Sequence, residues 1–331
     1  MKDTSILVTG GAGYIGSHVA LQLRARGERV VVIDDLSRGF RQAVLDAPLV
    51  VGAVGDRDTV LKVLKEHRVD TVMHFAAYTI VPESVSEPLK YYGNNTCSTR
   101  ALLECCLEAD IKHFVFSSTA AVYGIPAGGV AAEDTPTAPI NPYGTSKLMS
   151  EWMLRDVSAA SPLKHVALRY FNVAGSDSQG RVGQATPKAT LLIKVACEHA
   201  VGIRPEVAIY GTDYETPDGT GVRDYIHVED LATAHLDALD YLRAGGESTV
   251  LNVGYGHGYS VREVLESVAR VSGQRLTLRE MPRRAGDPPA LVAQADRIRR
   301  ELGWAPRLDD LDTIVRTALA WEQRLQRSPW S

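Results

Sequence analysis

The chain has 331 residues, of which 45% are hydrophobic and 23% are charged, and its formal net charge at pH 7 is −4. These values are typical of a soluble globular protein and exclude the disordered, collagen-like and coiled-coil classes. The sequence has no long run of lysine and arginine and no apolar run of membrane-spanning length, so we expect neither nucleic acid nor a membrane as a partner.

Short apolar segments alternate with helical patterns over the first half of the chain. We predict strands over 5–10, 29–34, 49–56, 69–76, 113–119 and 165–175. We predict helices between them over 14–26, 58–67, 89–109 and 142–159. Because the strand segments are apolar throughout, both faces of the sheet should be covered. The fold class expected from this pattern is α/β, a Rossmann-type doubly wound parallel sheet.

The amino-acid composition of the sequence changes after Gly175. A polar, glycine-rich segment precedes a predicted helix over 189–201 and a turn-rich stretch, which is typical of a loop-rich substrate-binding part. A helix over 228–243 and a strand within 248–256 are expected to rejoin the main sheet. Residues 260–331 should supply further helices and a final strand or two.

The four cysteines have no spacing typical of metal ligands. Cys97, Cys105 and Cys106 lie within one predicted helix, and Cys197 lies apart from them. We therefore expect reduced core thiols in a cytoplasmic protein, and no metal site.

The first predicted strand runs into the turn GGAGYIGSH. Gly10, Gly13 and Gly16 form a G-x-x-G-x-x-G pattern between a strand and a helix, and Asp34 ends the second strand. Glycines let the backbone approach a pyrophosphate, and the helix N-terminus offers free N–H groups to it. The Asp34 carboxylate would bind both adenine-ribose hydroxyls and repel a 2′-phosphate. The pattern therefore predicts NAD, with Arg38 as the one cation that favours NADP instead.

The segment NPYGTSK places Tyr143 and Lys147 four positions apart on one face of a helix. Ser117, Ser118 and Thr119 end a parallel strand, where ligands of open α/β sheets bind. A phenol pKa near 10 is too high for a base at neutral pH, so we expect the Lys147 ammonium and the nicotinamide charge to lower it. The pattern predicts general-base catalysis of hydride transfer. The alternative is a surface tyrosine packed on a lysine stem.

A resemblance to a known family extends over nearly the whole chain, from Ile6 to about Trp321. It is carried by VTGGAGYIGSH, HFAA, SSTAAVYG, NPYGTSK, RYFNVAG and GTGVRDYIHVEDLA. These segments resemble the extended short-chain dehydrogenase/reductase family, and most closely its UDP-glucose 4-epimerase branch. The resemblance implies an NAD-binding Rossmann domain over 1–175, which 228–254 rejoins, and a smaller C-terminal α/β domain for a UDP-sugar over 176–331. It also implies a homodimer.

The resemblance assigns roles residue by residue. Tyr143 matches the family's base, Lys147 the residue that orients the nicotinamide ribose, and Thr119 the hydroxyl that shares the proton of the sugar 4-OH. The residues implied to bind the cofactor are Gly10, Gly13, Tyr14, Ile15, Gly16, Asp34, Asp56, Phe75, Ala76, Asn94, Ser117, Tyr143, Lys147 and Tyr170. The residues implied to bind the sugar nucleotide are Thr119, Asn172, Tyr210, Arg223, Arg284, Asp287 and Leu291.

The residues after Thr119 bear on the reaction. Related dehydratases and decarboxylases place a carboxylate there, where this chain has Ala120 and Ala121, so elimination would lack its acid and base. The resemblance implies interconversion of UDP-galactose and UDP-glucose by C4 epimerisation, through a transient 4-keto sugar and with tightly held NAD, in galactose metabolism. The alternatives are another UDP-sugar (an N-acetylhexosamine, pentose or uronic acid), a net dehydrogenase, or a non-catalytic NAD-binding sensor.

Four positions depart from the family's usual residues or leave the substrate range open. Thr79 and Leu191 each stand where a polar or charged side chain is common near the cofactor or the phosphates, and Gln294 replaces an aspartate. Leu291 lies at the position that limits the sugar pocket, and its intermediate size leaves the range of sugars open.

Overall fold

The computed structural model describes residues 4–187, 189–284 and 286–330. The strands are β1 (Ser5–Thr9), β2 (Val30–Asp34), β3 (Leu49–Val51), β4 (Val69–His74), β5 (His113–Ser117), β6 (Val130–Ala131), β7 (Lys164–Tyr170), β8 (Asn172–Ala174), β9 (Val207–Tyr210), β10 (Val222–Arg223), β11 (Tyr225–His227), β12 (Thr249–Val253), β13 (Tyr259–Ser260), β14 (Leu278–Met281) and β15 (Ala290–Ala293). The α-helices are α1 (Tyr14–Ala25), α2 (Arg57–Glu66), α3 (Val81–Ser86), α4 (Pro88–Tyr91), α5 (Ser98–Glu108), α6 (Pro142–Ala160), α7 (Leu192–Ala200), α8 (Val228–Arg243), α9 (Val261–Ser272), α10 (Asp296–Leu302) and α11 (Leu311–Arg327).

The central sheet has seven strands, all parallel, in the order β12-β7-β5-β4-β1-β2-β3. Its two faces pack into separate hydrophobic clusters: Ile6 and Val8 of β1 join one cluster, and Leu7 between them joins the other. Successive side chains of a strand point to opposite faces, so an apolar run is needed where both faces are covered. The expected doubly wound α/β fold is confirmed.

The strand order reverses at the centre of this sheet. The chain moves outward from β1 through β2 to β3 and then returns to form β4 on the other side of β1. The connections after β1 and β4 therefore leave in opposite directions, which opens a crevice at their carboxyl ends. The glycine turn after β1 and residues 75–76 after β4 lie at this crevice.

Three predicted elements differ from the structure. The single strand expected over 165–175 is split at Phe171: β7 stays in the central sheet, and β8 pairs with β11 outside it. The helix expected over 89–109 is interrupted by a π-helical turn over Tyr92–Cys97, between α4 and α5. The strand expected over 49–56 stops at β3, since Asp56 already caps α2.

The remaining strands lie in three smaller sheets. Four strands pair in the order β13-β10-β15-β6, and β11-β8 and β14-β9 form two-stranded sheets. Helices α7, α9 and α11 pack against one another beside them. The predicted helix over 228–243 is α8, and the strand expected within 248–256 is β12, which pairs in parallel with β7 at the edge of the central sheet.

Among the described residues, none of the helices combines the length and the apolar composition that crossing a bilayer requires.

Candidate active site

Helix α6 places three functional groups on one buried face. Asn141 caps its first turn by accepting a hydrogen bond from Gly144 N at 2.9 Å, and Pro142 supplies the first helical residue. Tyr143, Lys147 and Glu151 then follow at intervals of four, so they lie above one another along the helix. All three are buried.

The Lys147 ammonium contacts the end of β5. Its Nζ donates a hydrogen bond to the carbonyl oxygen of Ser117 at 2.9 Å and lies 4.9 Å from the centre of the Phe116 ring. Burial lowers the pKa of Lys147 to about 7, against the charge of Glu151, which raises it. The amine is therefore poised to hold or release a proton near neutral pH.

The phenol of Tyr143 is only 6% exposed. Burial raises its pKa above the usual value near 10, the neighbouring Tyr170 adds to this, and a hydrogen bond with Thr119 lowers it. The sequence predicted a pKa lowered by Lys147, and for the protein's own groups this is wrong, because burial outweighs every other contribution. Lowering the pKa of this phenol requires a positive charge that the protein's own side chains do not supply.

Hydroxyl groups end β5 and β7 beside Tyr143. The Thr119 side chain accepts a hydrogen bond from Ala121 N at 3.1 Å, and the Ser117 hydroxyl donates to the Tyr170 hydroxyl at 3.0 Å. The chain turns immediately after β5 into a short 3₁₀ helix capped by Thr119. This turn aims the hydroxyls at the carboxyl edge of the sheet.

The glycine turn after β1 approaches the backbone of the β4 loop closely. Gly10 has a φ of +68°, and a Cβ built on it would lie 2.6 Å from Ala76 N. A Cβ on Gly16 would collide with the carbonyl oxygen of Gly10. Gly13 caps α1 without a side chain, which leaves the first N–H groups of that helix free of a side-chain partner. The turn is thus a cradle of backbone N–H groups that suits a pyrophosphate.

Asp34 at the end of β2 holds this cradle. Its carboxylate accepts hydrogen bonds from Ala12 N at 2.9 Å and from Leu36 N at 2.8 Å. Burial raises the pKa of Asp34, and the two backbone donors lower it. A carboxylate with this geometry fits ribose hydroxyl groups and disfavours a phosphate. Arg38 is also occupied, since its Nη2 pairs with Glu83 at 3.0 Å.

A cleft of about 380 Å³ runs from the glycine turn to strands β8, β10 and β15. Of the predicted site residues, it is lined by Gly10, Gly13, Tyr14, Ile15, Gly16, Phe75, Ser117, Thr119, Tyr143, Tyr170, Asn172, Arg223, Asp287 and Leu291. An adjoining cavity of about 110 Å³ shares Gly10, Gly13 and Phe75 with it and is lined by Asp34, Ala76 and Asn94. Residues far apart in sequence therefore share one continuous surface.

Four predicted residues lie outside the walls of these two cavities. Lys147 is behind Tyr143, against Ser117. Asp56 caps α2, where its carboxylate accepts from the Thr59 hydroxyl at 2.7 Å. Tyr210 and Arg284 contact each other instead, with the guanidinium carbon 3.7 Å from the centre of the ring.

The far end of the cleft is built by β8, β10 and β15. Asn172 opens β8, and Arg223 pairs in register with Leu291 across β10 and β15. The Arg223 Nη1 donates to Val222 O at 2.8 Å, so its guanidinium is held near the cleft wall by backbone. Leu291 is 8% exposed. An arginine and an asparagine at this end suit a phosphate-bearing ligand.

Within 4–187, 189–284 and 286–330, no group of three or more histidine, cysteine, aspartate or glutamate side chains is arranged to hold a metal ion.

A model of the NAD dependent epimerase/dehydratase family matches residues 6–254, about three quarters of the chain. The chain belongs to this family. NAD is therefore its cofactor, and the glycine cradle and Asp34 fit that group.

Members of the NAD dependent epimerase/dehydratase family with high similarity are UDP-glucose 4-epimerases. That of Azospirillum brasilense is 59% identical over 324 residues, covering 98% of this chain and 93% of the relative. The crystal structure of UDP-glucose 4-epimerase from Brucella ovis with NAD is 43% identical, covers 96% of this chain and 98% of its own, and has a TM-score of 0.93. The UDP-Glc/GlcNAc 4-epimerase of Campylobacter jejuni is 49% identical, covers 97% and 99%, and has a TM-score of 0.85. The resemblance noted from the sequence is confirmed.

Several cleft residues of this family member were not predicted. Tyr78, Ile80 and Glu83 line the cofactor side, and Gln184 and Thr190 line the far side. Glu83 lies in the first turn of α3, and the other four lie in loops, where no periodic pattern marks the face a side chain will occupy. The available signal, a position shortly after a predicted sheet strand, applied to Tyr78 and Ile80, which follow the strand predicted over 69–76.

Proposed function

We propose that this protein is a UDP-glucose 4-epimerase, which interconverts UDP-galactose and UDP-glucose through a transient 4-keto sugar. One observation carries the proposal: Tyr143 and Thr119 lie in the wall of the same cleft as the glycine turn and Arg223. A sugar bound between these two ends has its carbinol beside the phenol. In this site NAD supplies the acceptor and donor of hydride and a positively charged ring.

The roles of the protein groups follow from their contacts. Tyr143 removes the proton of the sugar 4-OH, and Thr119, which shares a hydrogen bond with Tyr143, orients that hydroxyl. Lys147, anchored on Ser117, adds positive charge behind the phenol. The positive charges of the cofactor ring and of Lys147 oppose the burial that raises the pKa of Tyr143.

Epimerisation would require hydride to be returned to the opposite face of C4 of the ketone, while Tyr143 gives its proton back to the O4 oxygen. Among the described residues of the cleft, the carboxylates are Glu83 and Asp287, and neither follows Thr119, where Ala120 and Ala121 line the wall. Glu83 is engaged by Arg38 and Lys90. Within the described part of the chain no acid is placed for elimination, so we expect the 4-keto sugar to rotate in the pocket while its nucleotide stays bound.

The test is turnover without added cofactor. Purified protein is mixed with UDP-galactose, and the anomeric signals of UDP-glucose and UDP-galactose are followed by proton NMR. We expect an equilibrium mixture of the two and no net NADH. Accumulation of NADH in step with sugar consumption would identify a dehydrogenase, and absence of any turnover would favour a sensor.

Two observations, the name of one relative and the size of one cleft residue, favour an N-acetylglucosamine nucleotide as a second substrate. The Campylobacter jejuni protein is named for both glucose and N-acetylglucosamine nucleotides. Leu291 is smaller than an aromatic side chain and lines the sugar end of the cleft. We propose that UDP-N-acetylglucosamine is epimerised more slowly than UDP-glucose, and parallel kcat/KM measurements on the two sugars test this.

We also propose a homodimer that works in the cytoplasm in galactose metabolism. Helices α4, α5 and α6 pack side by side and expose Leu89, Leu107 and Trp152, with 82% of Leu89 accessible. Four free thiols suit a reducing compartment. Light scattering after size exclusion should give twice the chain mass, and Leu89→Glu with Trp152→Glu should halve it. A wild-type monomer at micromolar concentration contradicts the dimer.

A further inference from the structure

A buried ion pair lies directly behind the proposed catalytic groups. The carboxylate of Glu151, one turn after Lys147 on α6, accepts hydrogen bonds from Arg169 Nε at 3.0 Å and Arg169 Nη2 at 2.6 Å. It also accepts one from the hydroxyl of Ser118 at 2.5 Å. The Glu151 side chain is 4% exposed, and Ser118 is fully buried. The charge is therefore compensated and fixed in place.

Ser118 joins this ion pair to the Lys147 contact. The carbonyl of Ser117, which accepts from Lys147 Nζ, and the N–H of Ser118 belong to one planar peptide unit. That N–H donates to Leu168 O at 2.9 Å. The peptide unit is thus held by β7 on one side and by Lys147 on the other. The Ser118 side chain ties the same unit to Glu151.

We propose that Glu151 is a positioning residue for the epimerisation: through Ser118 it fixes the peptide unit that anchors Lys147, and its carboxylate charge favours the ammonium form of Lys147. This inference rests on the proposed function, because it presumes that Lys147 assists Tyr143 in proton transfer. Glu151 does not line the cleft and acts only through Ser118 and Lys147.

The charged and titratable groups around Lys147 come from three elements. His74 on β4 stays neutral, since burial and the Lys147 charge lower its pKa to about 3. The phenols of Tyr143 on α6 and Tyr170 on β7 stay neutral, since burial raises their pKa values. Arg169 on β7 directs its guanidinium to Glu151 and to the Tyr123 hydroxyl, at 3.0 Å. Glu151 is the charge that raises the pKa of Lys147.

The test is the pH profile of kcat for Glu151→Gln. The ammonium is present below the pKa of Lys147 and lost above it, so removing the carboxylate charge should move the alkaline limb of kcat to lower pH. We expect a shift of about one pH unit or more and a loss of kcat of about 10-fold to 100-fold at pH 8, with KM for UDP-galactose within about twofold. Asp156→Asn removes an exposed charge from the same helix and should leave the profile unchanged.

Two further variants keep the test decisive if Glu151→Gln unfolds because Arg169 loses its partner. Glu151→Gln with Arg169→Met removes both charges and should show the same shift of the alkaline limb. Ser118→Ala keeps the charge but loses the anchor, and should lower kcat about tenfold without moving the limb.

The outcomes separate this inference from the proposed function. A wild-type protein that does not convert UDP-galactose overturns the function. An active wild type whose Glu151→Gln or double variant keeps the wild-type alkaline limb overturns the role of the charge. Should neither of those variants fold, an unchanged kcat in Ser118→Ala overturns the role of the anchor.

Discussion

A Cβ atom on Gly10 would lie 2.6 Å from the backbone nitrogen of Ala76. Atoms of real side chains do not approach a backbone this closely, and the Ala76 backbone is held between β4 and the cleft. The carboxyl ends of β1 and β4 can therefore meet only if residue 10 has no side chain. This contact makes the crevice at the reversal point of the sheet narrow enough for backbone N–H groups to reach a ligand.

Gly10→Ala should abolish NAD retention and destabilise the fold. The left-handed φ of +68° costs an alanine about 1 to 2 kcal/mol, and the overlap with Ala76 adds about 1 to 3 kcal/mol. Gly27→Ala is the matched control, because Gly27 has a φ of +78° but no atom within 4 Å of its Cβ position. Thermal unfolding and the NAD content of the purified protein check both. Equal effects of the two substitutions would contradict the contact as the cause.

Tyr143→Phe should remove turnover while the protein stays folded and keeps NAD. The ring still fills its buried place, but the proton acceptor is gone, so kcat should fall by about 100-fold to 10,000-fold. Tyr241→Phe on α8, outside the cleft walls, serves as the control. Retained turnover in Tyr143→Phe would show that another group takes the proton.

Lys147→Met should stabilise the nucleotide-free protein, most strongly below pH 7. The pKa of Lys147 is lowered to about 7 in the folded state from about 10.4 in the unfolded chain. Below pH 7 both states carry the charge and the folded state bears the full burial cost. Between pH 7 and about 10.4 the folded state releases the proton first, and the cost disappears.

We expect the gain in unfolding free energy for Lys147→Met to be on the order of 1 to 4 kcal/mol at pH 6 and to shrink towards pH 10. Urea unfolding at a series of pH values measures it. Lys62→Met, at an exposed site on α2, should give no pH-dependent difference. A Lys147→Met protein less stable than wild type at pH 6 contradicts the prediction.

Leu291→Ala should favour larger sugars. Leu291 is nearly buried in the cleft wall, in register with Arg223, so shortening its side chain enlarges the cleft beside that arginine. We expect the ratio of kcat/KM for UDP-N-acetylglucosamine over UDP-glucose to rise about tenfold. Val292→Ala, on the opposite face of β15, is the control. A ratio that falls or stays constant would show that another residue limits the pocket.

The sequence predicted those features that depend on local periodicity. Apolar runs located the sheet strands, and the four-residue spacing of Tyr143 and Lys147 placed them on one helix face, as α6 shows. Features decided by distant partners were missed. Phe171 interrupts no apolar pattern, and only the pairing of β8 with β11 ends the strand there. The rise that burial causes in the pKa of Tyr143 was not predicted, because that burial depends on the whole fold.

Some site residues stay predictions after their positions are known. Asp56 is exposed at the start of α2, and the hydrogen bond that it accepts from Thr59 N is one that any helix-capping aspartate makes. Arg284 and Tyr210 contact each other at the rim. Such side chains could be recognised only from a resemblance, since their local sequence gives no physical signal for a nucleotide.

The break between β7 and β8 at Phe171 limits how far apart the two walls of the cleft can lie. Tyr170 ends β7 in the central sheet and Asn172 begins β8, yet only Phe171 lies between them, so their α-carbons are about 7 Å apart at most. The wall proposed to bind the cofactor and the wall proposed to bind the sugar nucleotide are therefore joined through Phe171. At this point covalent geometry limits the distance between the two proposed binding regions.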